Sequence, residues 1–330
     1  MLMKVLVTGG CGFIGHRLVK LLERGCKEVL VVDNHTTYGS VSQRELTNLV
    51  DERSKDFTSK VVNIDICNFA ALYKAFDEFD PDVVIHLASF PRQKSVSVNP
   101  QEGAKTMMEG LINVLELSKN RHFTYISSSM VYGDMSRPAV ETDECNPKGL
   151  YALMKYTGEK MVEDYARRFG MTYNIVRPSA VYGPLDVGDR VIAKFMLNAM
   201  TDKPLKVNGA FEKLDFTYVD DTAMGIYLVA TVGQSGEIYN ITRGVGRTLY
   251  EAANLIRGIV GKGVVVTQDR DNQFPSRDAL CIDKARRDLL FNPTHDLEYG
   301  LVKYYTWFRD RVHWFTTSVP EPTRRDTRVY

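Results

Sequence analysis

A glycine-rich segment near the start of the chain separates an apolar run from an amphipathic one. Residues 3–7 read Met-Lys-Val-Leu-Val, residues 8–15 read Thr-Gly-Gly-Cys-Gly-Phe-Ile-Gly, and residues 17–22 read Arg-Leu-Val-Lys-Leu-Leu. This order predicts a buried strand, a tight turn and a helix. The start of such a helix presents free backbone N–H groups and the positive end of its dipole, which together suit a pyrophosphate.

The glycine spacing predicts a role for each glycine of this turn. Gly10 is expected to allow the tight turn, Gly12 to let a phosphate reach the backbone, and Gly15 to let helix and strand pack closely. The next apolar run ends at Asp33, close to the offset of about 20 residues at which an acid meets the ribose of a dinucleotide. The alternative for Asp33 is a turn-forming residue. An acid at this place favours NAD over NADP, because a 2′-phosphate needs a cation there.

The composition excludes several classes of protein. At 330 residues, with 44% hydrophobic and 25% charged residues and a formal net charge of +1, the chain gives no reason to expect nucleic acid or an acidic membrane as a partner. No apolar stretch approaches the roughly 18 residues of a membrane span, and we expect no signal peptide. Five scattered cysteines without a C-x-x-C pair predict neither disulfides nor a metal site. We therefore expect a reducing, cytoplasmic location.

Strand-like apolar runs alternate with helical stretches through the first half of the chain. Further runs cover residues 60–64, 83–87, 123–127 and 172–176, and helical periodicity covers 69–79 and 101–118. Strands separated by helices predict an α/β fold, specifically a Rossmann-type, doubly wound parallel sheet.

The alternation breaks after residue 178, where prolines and glycines divide the chain into shorter elements. We expect residues 1–178 to form the Rossmann domain, with 215–242 returning to it. Residues 179–214 and 243–315 are expected to form a smaller C-terminal substrate-binding lobe. The tail at 316–330 is expected to be extended or disordered.

Residues that follow a strand of such a sheet face its ligand site. The strand ending near residue 126 leads into three serines at 127–129, and a later helix begins with Tyr151 and Lys155. Tyr151 and Lys155 are four residues apart and therefore lie on one face of the helix. The Lys155 ammonium is expected to lower the pKa of the Tyr151 phenol from its usual value of about 10. A serine and such a tyrosine can take a proton from an alcohol while a nicotinamide takes hydride from the same carbon.

The Tyr-x-x-x-Lys spacing alone is unspecific, because Tyr156 with Lys160 and Tyr299 with Lys303 share it. Only Tyr151 combines the start of a helix with a preceding cluster of serines at a strand end. We therefore select Tyr151 and Lys155 as the candidate pair.

Jointly, these motifs resemble the extended short-chain dehydrogenase/reductases of the NAD-dependent sugar-nucleotide epimerase/dehydratase family. The resemblance runs from Lys4 to about Arg311. It rests on residues 8–15, 33–34, 65–66, 86–88, 127–133, 151–159, 177–178, 181–184, 215–221 and 284–286.

The resemblance implies a set of site residues. Ser128 would be the catalytic hydroxyl beside Tyr151 and Lys155. The NAD site would comprise Gly9, Gly12, Phe13, Ile14, Gly15, Asp33, Asn34, Asp65, Ile66, Leu87, Ala88, Tyr151 and Lys155. No metal ion is implied. The substrate would be a nucleotide-diphosphate sugar, and its candidate contacts are Ser89, Ser129, Arg190 and Arg277, although Arg277 is equally consistent with a solvated surface arginine.

Departures from the family pattern narrow the reaction. Dehydratases of the family carry an Asp-Glu pair directly after the catalytic hydroxyl, which protonates the leaving hydroxyl and removes the C5 proton. Here the pair is Ser129 and Met130, and Met130 cannot transfer a proton. Family members usually bind the nucleotide diphosphate with an Asn and an Arg, and these two positions are occupied here by Ala180 and Leu214. The positive charge for the diphosphate would then have to come from Arg190, Lys194, Lys213 or Arg277.

These observations favour an NAD-dependent sugar-nucleotide epimerase, acting at C4 through a transient 4-keto intermediate. The alternative is a dehydrogenase or reductase with net redox turnover. A 4,6-dehydratase is less favoured because of Met130, and a non-catalytic NAD-binding protein is less favoured because the Ser128, Tyr151 and Lys155 set is intact.

Apolar residues on two helical segments exceed what one buried face needs. The first set is Met107, Met108, Leu111, Ile112, Val114, Leu115 and Leu117, and the second is Met154, Met161, Val162 and Tyr165. Such a wide apolar surface suggests a covered outer face. We expect a homodimer in which both helices meet their symmetry mates in a four-helix bundle, as is common in the family.

Overall fold

The computed structural model describes residues 3–26, 28–36, 41–270 and 275–316. Of the tail expected to be extended or disordered, all but Thr316 lies outside these described residues. None of the helices in the described ranges is long and apolar enough to cross a membrane.

Seven parallel strands form the central sheet, in the order β11-β6-β5-β4-β1-β2-β3. They are β1 (Lys4–Thr8), β2 (Glu28–Asp33), β3 (Lys60–Asn63), β4 (Val83–His86), β5 (His122–Ile126), β6 (Tyr173–Pro178) and β11 (Glu237–Ile241). The chain begins in the middle of the sheet and winds outward to each edge in turn. The predicted Rossmann-type α/β fold is therefore confirmed, since buried parallel strands read as near-continuous apolar runs.

Helices cover both faces of this sheet and build the adjoining lobe. They are α1 (Gly15–Gly25), α2 (Gln43–Ser54), α3 (Phe69–Phe79), α4 (Gln93–Val98), α5 (Pro100–Ala104), α6 (Gly110–Ser118), α7 (Leu150–Phe169), α8 (Val191–Met200), α9 (Val219–Val232), α10 (Leu249–Val260), α11 (Asp283–Leu289), α12 (Leu297–Arg309) and α13 (Val312–Phe315). A 3₁₀ turn covers Ser129–Tyr132.

The helical periodicity over 101–118 does not produce one uniform α-helix. A π-helical turn at Lys105–Glu109 separates α5 from α6, and the Gly110 N–H donates to the Lys105 carbonyl oxygen, five residues back. The same carbonyl accepts from the Cys67 thiol at 3.4 Å. Periodicity in the sequence is too coarse to distinguish a π turn from an α turn, because both keep the apolar side chains near one face.

The two faces of the sheet have separate apolar cores. On one face α1, α9 and α11 contribute Leu18, Ile226 and Leu289 to a cluster with the strands. On the other face α3, α6 and α7 contribute further buried residues, including Leu115 and Val162. The catalytic candidates on α7 are thus carried by a helix that packs against the sheet along its length.

A third core lies in the lobe, where α8, α10 and α12 pack together through residues that include Phe195, Ile256 and Phe308. Six short strands accompany them: β7 (Val181–Tyr182), β8 (Leu205–Asn208), β9 (Lys213–Asp215), β10 (Thr217–Tyr218), β12 (Gly246–Thr248) and β13 (Val265–Gln268). They pair as β7 with β10, β8 with β13 and β9 with β12. Because α9 and β11 return to the large sheet, we propose that residues 1–178 and 215–242 form the Rossmann domain and that residues 179–214 and 243–315 form the lobe, as expected from the sequence.

Candidate active site and cofactor site

A cleft of about 580 Å³ opens where the carboxyl ends of β1, β2, β4, β5 and β6 meet the lobe. Every residue that the sequence suggested for catalysis, for the cofactor or for the substrate lines this cleft. Lys194 and Lys213, considered as alternative cations, do not line it. Lys194 is exposed, and Lys213 pairs with Asp278 at 3.4 Å.

The glycine turn brings the backbone of β1 against the loop after β4. Gly9 adopts the left-handed conformation with φ +74°, and a Cβ there would lie 2.5 Å from the Ala88 nitrogen. Gly10 has no positive φ and instead packs on Val31, so assigning the turn conformation to Gly10 was wrong by one residue. A glycine pair in sequence does not reveal which member is left-handed, because that depends on the neighbouring loop.

Asp33 is held at the end of β2 by the glycine turn. Its two carboxylate oxygens accept the Cys11 N–H at 2.9 Å and the His35 N–H at 2.7 Å. Each oxygen keeps a second lone pair, so the carboxylate can still accept the hydroxyls of a ribose. Beside it, the Asn34 amide donates to Asp65 at 3.3 Å. The cradle fits the adenosine half of a dinucleotide.

Replacing Asp33 with Ala should weaken NAD binding by about one to two orders of magnitude, since charged hydrogen bonds contribute about 1.5–3 kcal/mol. The same change should reduce the discrimination against NADP. Titration of the protein with each cofactor, followed by calorimetry, measures both effects. An Asp51→Ala variant, altered at an exposed position on α2, is the control. Unchanged NAD affinity in the Asp33 variant would remove this residue from the cofactor site.

Cys11, Asp33 and His35 also bring one potential metal ligand each within 4.8 Å of one another. We assign no ion to them, because the thiolate that a metal needs is disfavoured here. Burial and the Asp33 charge raise the pKa of Cys11 to about 12. The Asp33 oxygens are meanwhile engaged with the backbone, as described above.

Arg53 of α2 is a residue of this cleft that the sequence analysis did not identify. Its buried guanidinium donates to the Leu185 carbonyl oxygen at 3.1 and 2.7 Å and thereby joins α2 to the lobe. Burial lowers the pKa of Arg53 to about 10, with the Asp186 and Asp33 charges opposing that change. One signal existed in the sequence, since Arg53 continues the face of α2 that carries Leu46 and Leu49.

The catalytic candidates meet where β5 ends and α7 begins. Ser128 follows β5 and its buried hydroxyl accepts the Met130 N–H at 3.2 Å. Tyr151 lies in the first turn of α7 and is half-buried in the cleft. Lys155, one turn later, is buried and its Nζ donates to the Ile126 carbonyl oxygen at 2.7 Å.

The pKa of Tyr151 does not shift in the direction expected from the sequence. Burial raises the pKa of Tyr151, while the Ser128 hydroxyl and the Arg190 guanidinium act to lower it. Burial also lowers the pKa of Lys155 to about 7, against the opposing Glu159 charge. The prediction that Lys155 lowers the pKa of Tyr151 is therefore wrong here, because burial prevails and the opposing groups are Ser128 and Arg190.

A buried ionic network connects the strands and the helix that carry the catalytic candidates. Glu159 on α7 accepts two hydrogen bonds from Arg177 of β6, at 2.9 and 2.7 Å, and a third from the Ser127 hydroxyl at 2.5 Å. The guanidinium also lies over the Tyr132 ring, with 4.8 Å from Cζ to the ring centroid. The network fixes β5, β6 and α7 relative to one another.

The substrate side of the cleft is rich in hydroxyl groups and arginines. The Ser129 hydroxyl donates to that of Ser179 at 3.1 Å, whereas the buried Ser89 Oγ has no partner among the described residues. The Arg190 Nε lies 3.6 Å from the Asp186 Oδ2. Burial and the neighbouring Arg190 lower the pKa of Arg277 to about 10.

Arg277 is therefore not a solvated surface arginine. Its Nη1 donates to the Met130 sulfur at 3.8 Å, in a cleft that also holds Arg190. A half-buried arginine that faces a second arginine and a thioether favours an anion. Gln93 and Arg92 are among the other cleft residues that were not identified from the sequence, and the Arg92 Nη1 lies 2.5 Å from the Asp189 Oδ1.

Comparison with known proteins agrees with this geometry. Residues 5–242 match the model of the NAD dependent epimerase/dehydratase family. The chain belongs to this family. NAD is accordingly its cofactor, and the residues that would hold NAD are the glycine turn, Asp33 and the loop after β4.

Both activities of the family occur among similar proteins. The dTDP-glucose 4,6-dehydratase of Neisseria meningitidis is 30% identical over 342 residues, which cover 94% of this chain and 95% of the relative. The UDP-glucose 4-epimerase of Thermotoga maritima, solved with UDP-glucose, is 28% identical with a TM-score of 0.84, over 94% of this chain and 100% of that one. The UDP-glucuronic acid 4-epimerase of Bacillus cereus, solved with UDP-glucuronic acid and NAD, is 27% identical with a TM-score of 0.86, with the same coverage.

Proposed function

We propose that this family member is an NAD-dependent sugar-nucleotide epimerase that acts at C4 through a transient 4-keto sugar. Ser128 would hold the reacting sugar oxygen, and Tyr151 in its phenolate form would accept the proton of that oxygen. The Ser128 hydroxyl and the Arg190 guanidinium favour this phenolate, against the effect of burial. Bound NAD supplies reversible acceptance of the hydride from the same carbon. Lys155 has three N–H donors as an ammonium and two as an amine, so in either form it can keep its bond to the Ile126 carbonyl oxygen and also hold a ribose hydroxyl.

Met130 is the observation that carries the choice of epimerisation. It lies two residues after Ser128, in the 3₁₀ turn where the family resemblance places the proton-transferring pair of the dehydratases. Its sulfur accepts a hydrogen bond from Arg277 and cannot exchange a proton with a sugar. Elimination of water across C5 and C6 needs both an acid and a base, and Met130 cannot serve as either.

A 4,6-dehydratase is the second candidate, because dTDP-glucose 4,6-dehydratases are similar over nearly the whole chain. The cleft also contains Asp186, a buried carboxyl whose pKa burial raises to about 6, so it can carry a proton near neutral pH. We prefer the epimerase, because identities of 26–30% establish the fold while the residues at the reacting carbon establish the reaction.

For the substrate we propose a nucleotide-diphosphate sugar. The Arg190 and Arg277 guanidinium groups face the same cleft, and the Arg190 charge contributes to the lowered pKa of Arg277, an effect that a bound diphosphate would oppose. They would take over the contacts that Ala180 and Leu214 cannot make. Both of these apolar residues line the cleft.

The test is a product analysis with UDP-, dTDP-, GDP- and CDP-sugars. An epimerase converts one of them to an isomer of equal mass, with NAD retained and not consumed. A product that has lost one water molecule would show a dehydratase, and stoichiometric NADH would show a net dehydrogenase. Each of the last two results would overturn the proposal.

We further propose a homodimer formed through α6 and α7. The core against the sheet buries Leu111, Val114, Leu115 and Val162, and Met107 is buried in a separate cluster with Phe90 and Val96. Ile112 and Leu153 remain 42% and 46% exposed. Met108, Met154, Met161 and Tyr165 are half-buried. A four-helix bundle with a second copy would cover these side chains and bury roughly 1,200–2,000 Å².

The dimer makes a prediction for Ile112→Glu, which places a charge in the proposed bundle. Sedimentation equilibrium at micromolar protein with NAD present should give twice the 37.4 kDa monomer mass for the unaltered chain. The Ile112→Glu protein should sediment as a monomer, whereas Val302→Glu, at a 48% exposed position on α12, should not. A monomer of the unaltered chain would contradict the proposal.

A further inference from the structure

Gln93 is the first residue of α4, directly after the loop that follows β4. It lines the cleft, and its Oε1 is shielded from solvent without a hydrogen-bond partner among the described residues. Buried amide oxygens in native proteins are nearly always paired, because leaving one unpaired is costly. An unpaired oxygen that faces a binding cleft therefore points to a ligand.

The Gln93 amide packs directly against Gly149. This glycine has φ +83° and precedes α7, and a Cβ built on it would lie 1.6 Å from the Gln93 Nε2 and 2.5 Å from its Cδ. The amide thus rests directly on the backbone two residues before Tyr151. The positive φ favours glycine at this position, and a larger side chain there would displace the Gln93 amide.

A second unpartnered atom lies on the same loop. The Ser89 Oγ is also shielded from solvent without a partner among the described residues, and Ser89 also lines the cleft. The loop after β4 and the first residue of α4 therefore present two hydrogen-bonding groups to the cleft, and Gln93 is the one that packs against Gly149 at the start of α7.

We propose that Gln93 is a specificity-determining residue whose Oε1 accepts a hydrogen bond from an O–H or N–H group on the sugar of the substrate. This inference rests on the proposed nucleotide-sugar substrate. The sugar is favoured over the cofactor because Gln93 lies beyond Leu87 and Ala88, the residues of the β4 loop that would hold NAD, and packs against Gly149, two residues before Tyr151. Gly149 acts as a positioning residue, since it acts through Gln93.

The decisive variant is Gln93→Met, which keeps the size of the side chain and removes its amide. Calorimetry on the NAD-loaded protein would use UDP-glucose, UDP-N-acetylglucosamine and dTDP-glucose, with UDP and dTDP as probes that lack the sugar. The Kd of the bound nucleotide sugar should rise about tenfold, which is the size of one lost hydrogen bond to a buried group. The Kd of the matching nucleoside diphosphate should stay within about twofold. A rise confined to UDP-N-acetylglucosamine would identify an amide N–H as the donor, and a rise shared with the glucose nucleotides would identify a hydroxyl.

Gln101→Met is the matched control, because Gln101 is an exposed glutamine on α5 and should change neither affinity. Gly149→Ala should reproduce the selective loss of sugar affinity by displacing the amide, and adding it to Gln93→Met should cause little further loss.

Two outcomes would overturn the inference while leaving the proposed function standing. One is an unchanged Kd for the nucleotide sugar in Gln93→Met. The other is an equal loss for the nucleotide sugar and the nucleoside diphosphate, which would show a purely structural role. Failure of the unaltered protein to bind any of the nucleotide sugars would overturn the proposed function and this inference together.

Discussion

Replacing Tyr151 with Phe is expected to lower turnover by about 10²–10⁴-fold, the usual contribution of a positioned proton acceptor. The change removes the phenol oxygen beside Ser128 and keeps the ring, which is half-buried at the start of α7. NAD content after purification should therefore be nearly unchanged. Initial rates on the identified nucleotide sugar and the absorbance of released NAD measure the two quantities.

Tyr156→Phe is the control for this prediction. Tyr156 shares the same spacing to a lysine, and its ring lies 5.1 Å from the Lys160 Nζ, but it does not line the cleft. Its variant should keep activity close to that of the unaltered protein. Activity of Tyr151→Phe within tenfold of the unaltered protein would show that Tyr151 is not the proton acceptor.

Replacing Glu159 with Ala is expected to lower the free energy of unfolding by about 3–5 kcal/mol, because it leaves a buried guanidinium without its partner. The Arg177 and Glu159 side chains are 3% and 0% exposed, so water cannot replace the lost contact. The Ser127 hydroxyl loses its acceptor at the same time. Unfolding in guanidinium chloride, followed by circular dichroism, gives the free energies.

Two variants sharpen the result for this network. Glu163→Ala removes a surface pair with Lys160, where the lysine side chain is 50% exposed, and should cost no more than about 1 kcal/mol. Replacing both Glu159 and Arg177 with Met should recover much of the loss, because apolar side chains need no partner. A loss of less than about 1 kcal/mol in Glu159→Ala would show that the pair does not stabilise the junction of β5, β6 and α7.

The glycine turn and the strand ends could be predicted because their signals are local. Short apolar runs, a glycine cluster and an acid after the second strand each reflect the backbone conformation of a few neighbouring residues. Residues at strand ends then meet in one cleft as a consequence of parallel topology. That is why Asp33 and the serines after β5 could be identified without any knowledge of their contacts, whereas the choice of Ser128 and Ala88 came from the family resemblance.

Arg53 and Gln93 were missed because their roles depend on residues far away in the chain. Arg53 reaches the Leu185 carbonyl oxygen across 132 positions, and Gln93 is seated by Gly149. Neither residue belongs to a motif of fixed spacing. Arg277 could be identified only as a candidate, and its half-buried position beside Met130 and Arg190 decides that it faces the cleft.

The sequence by itself determined the α/β fold, because the fold follows from local periodicity and from the geometry of parallel strands. It also predicted the NAD site and the catalytic candidates, with many of the individual residues implied by the family resemblance. The tertiary structure decided the electrostatics of the cleft. Burial raises the pKa of Tyr151 and lowers that of Lys155 to about 7, and the groups opposing the Tyr151 shift are Ser128 and Arg190. Desolvation and distance between charges depend on how the lobe packs over the sheet, and no local pattern in the chain encodes that packing.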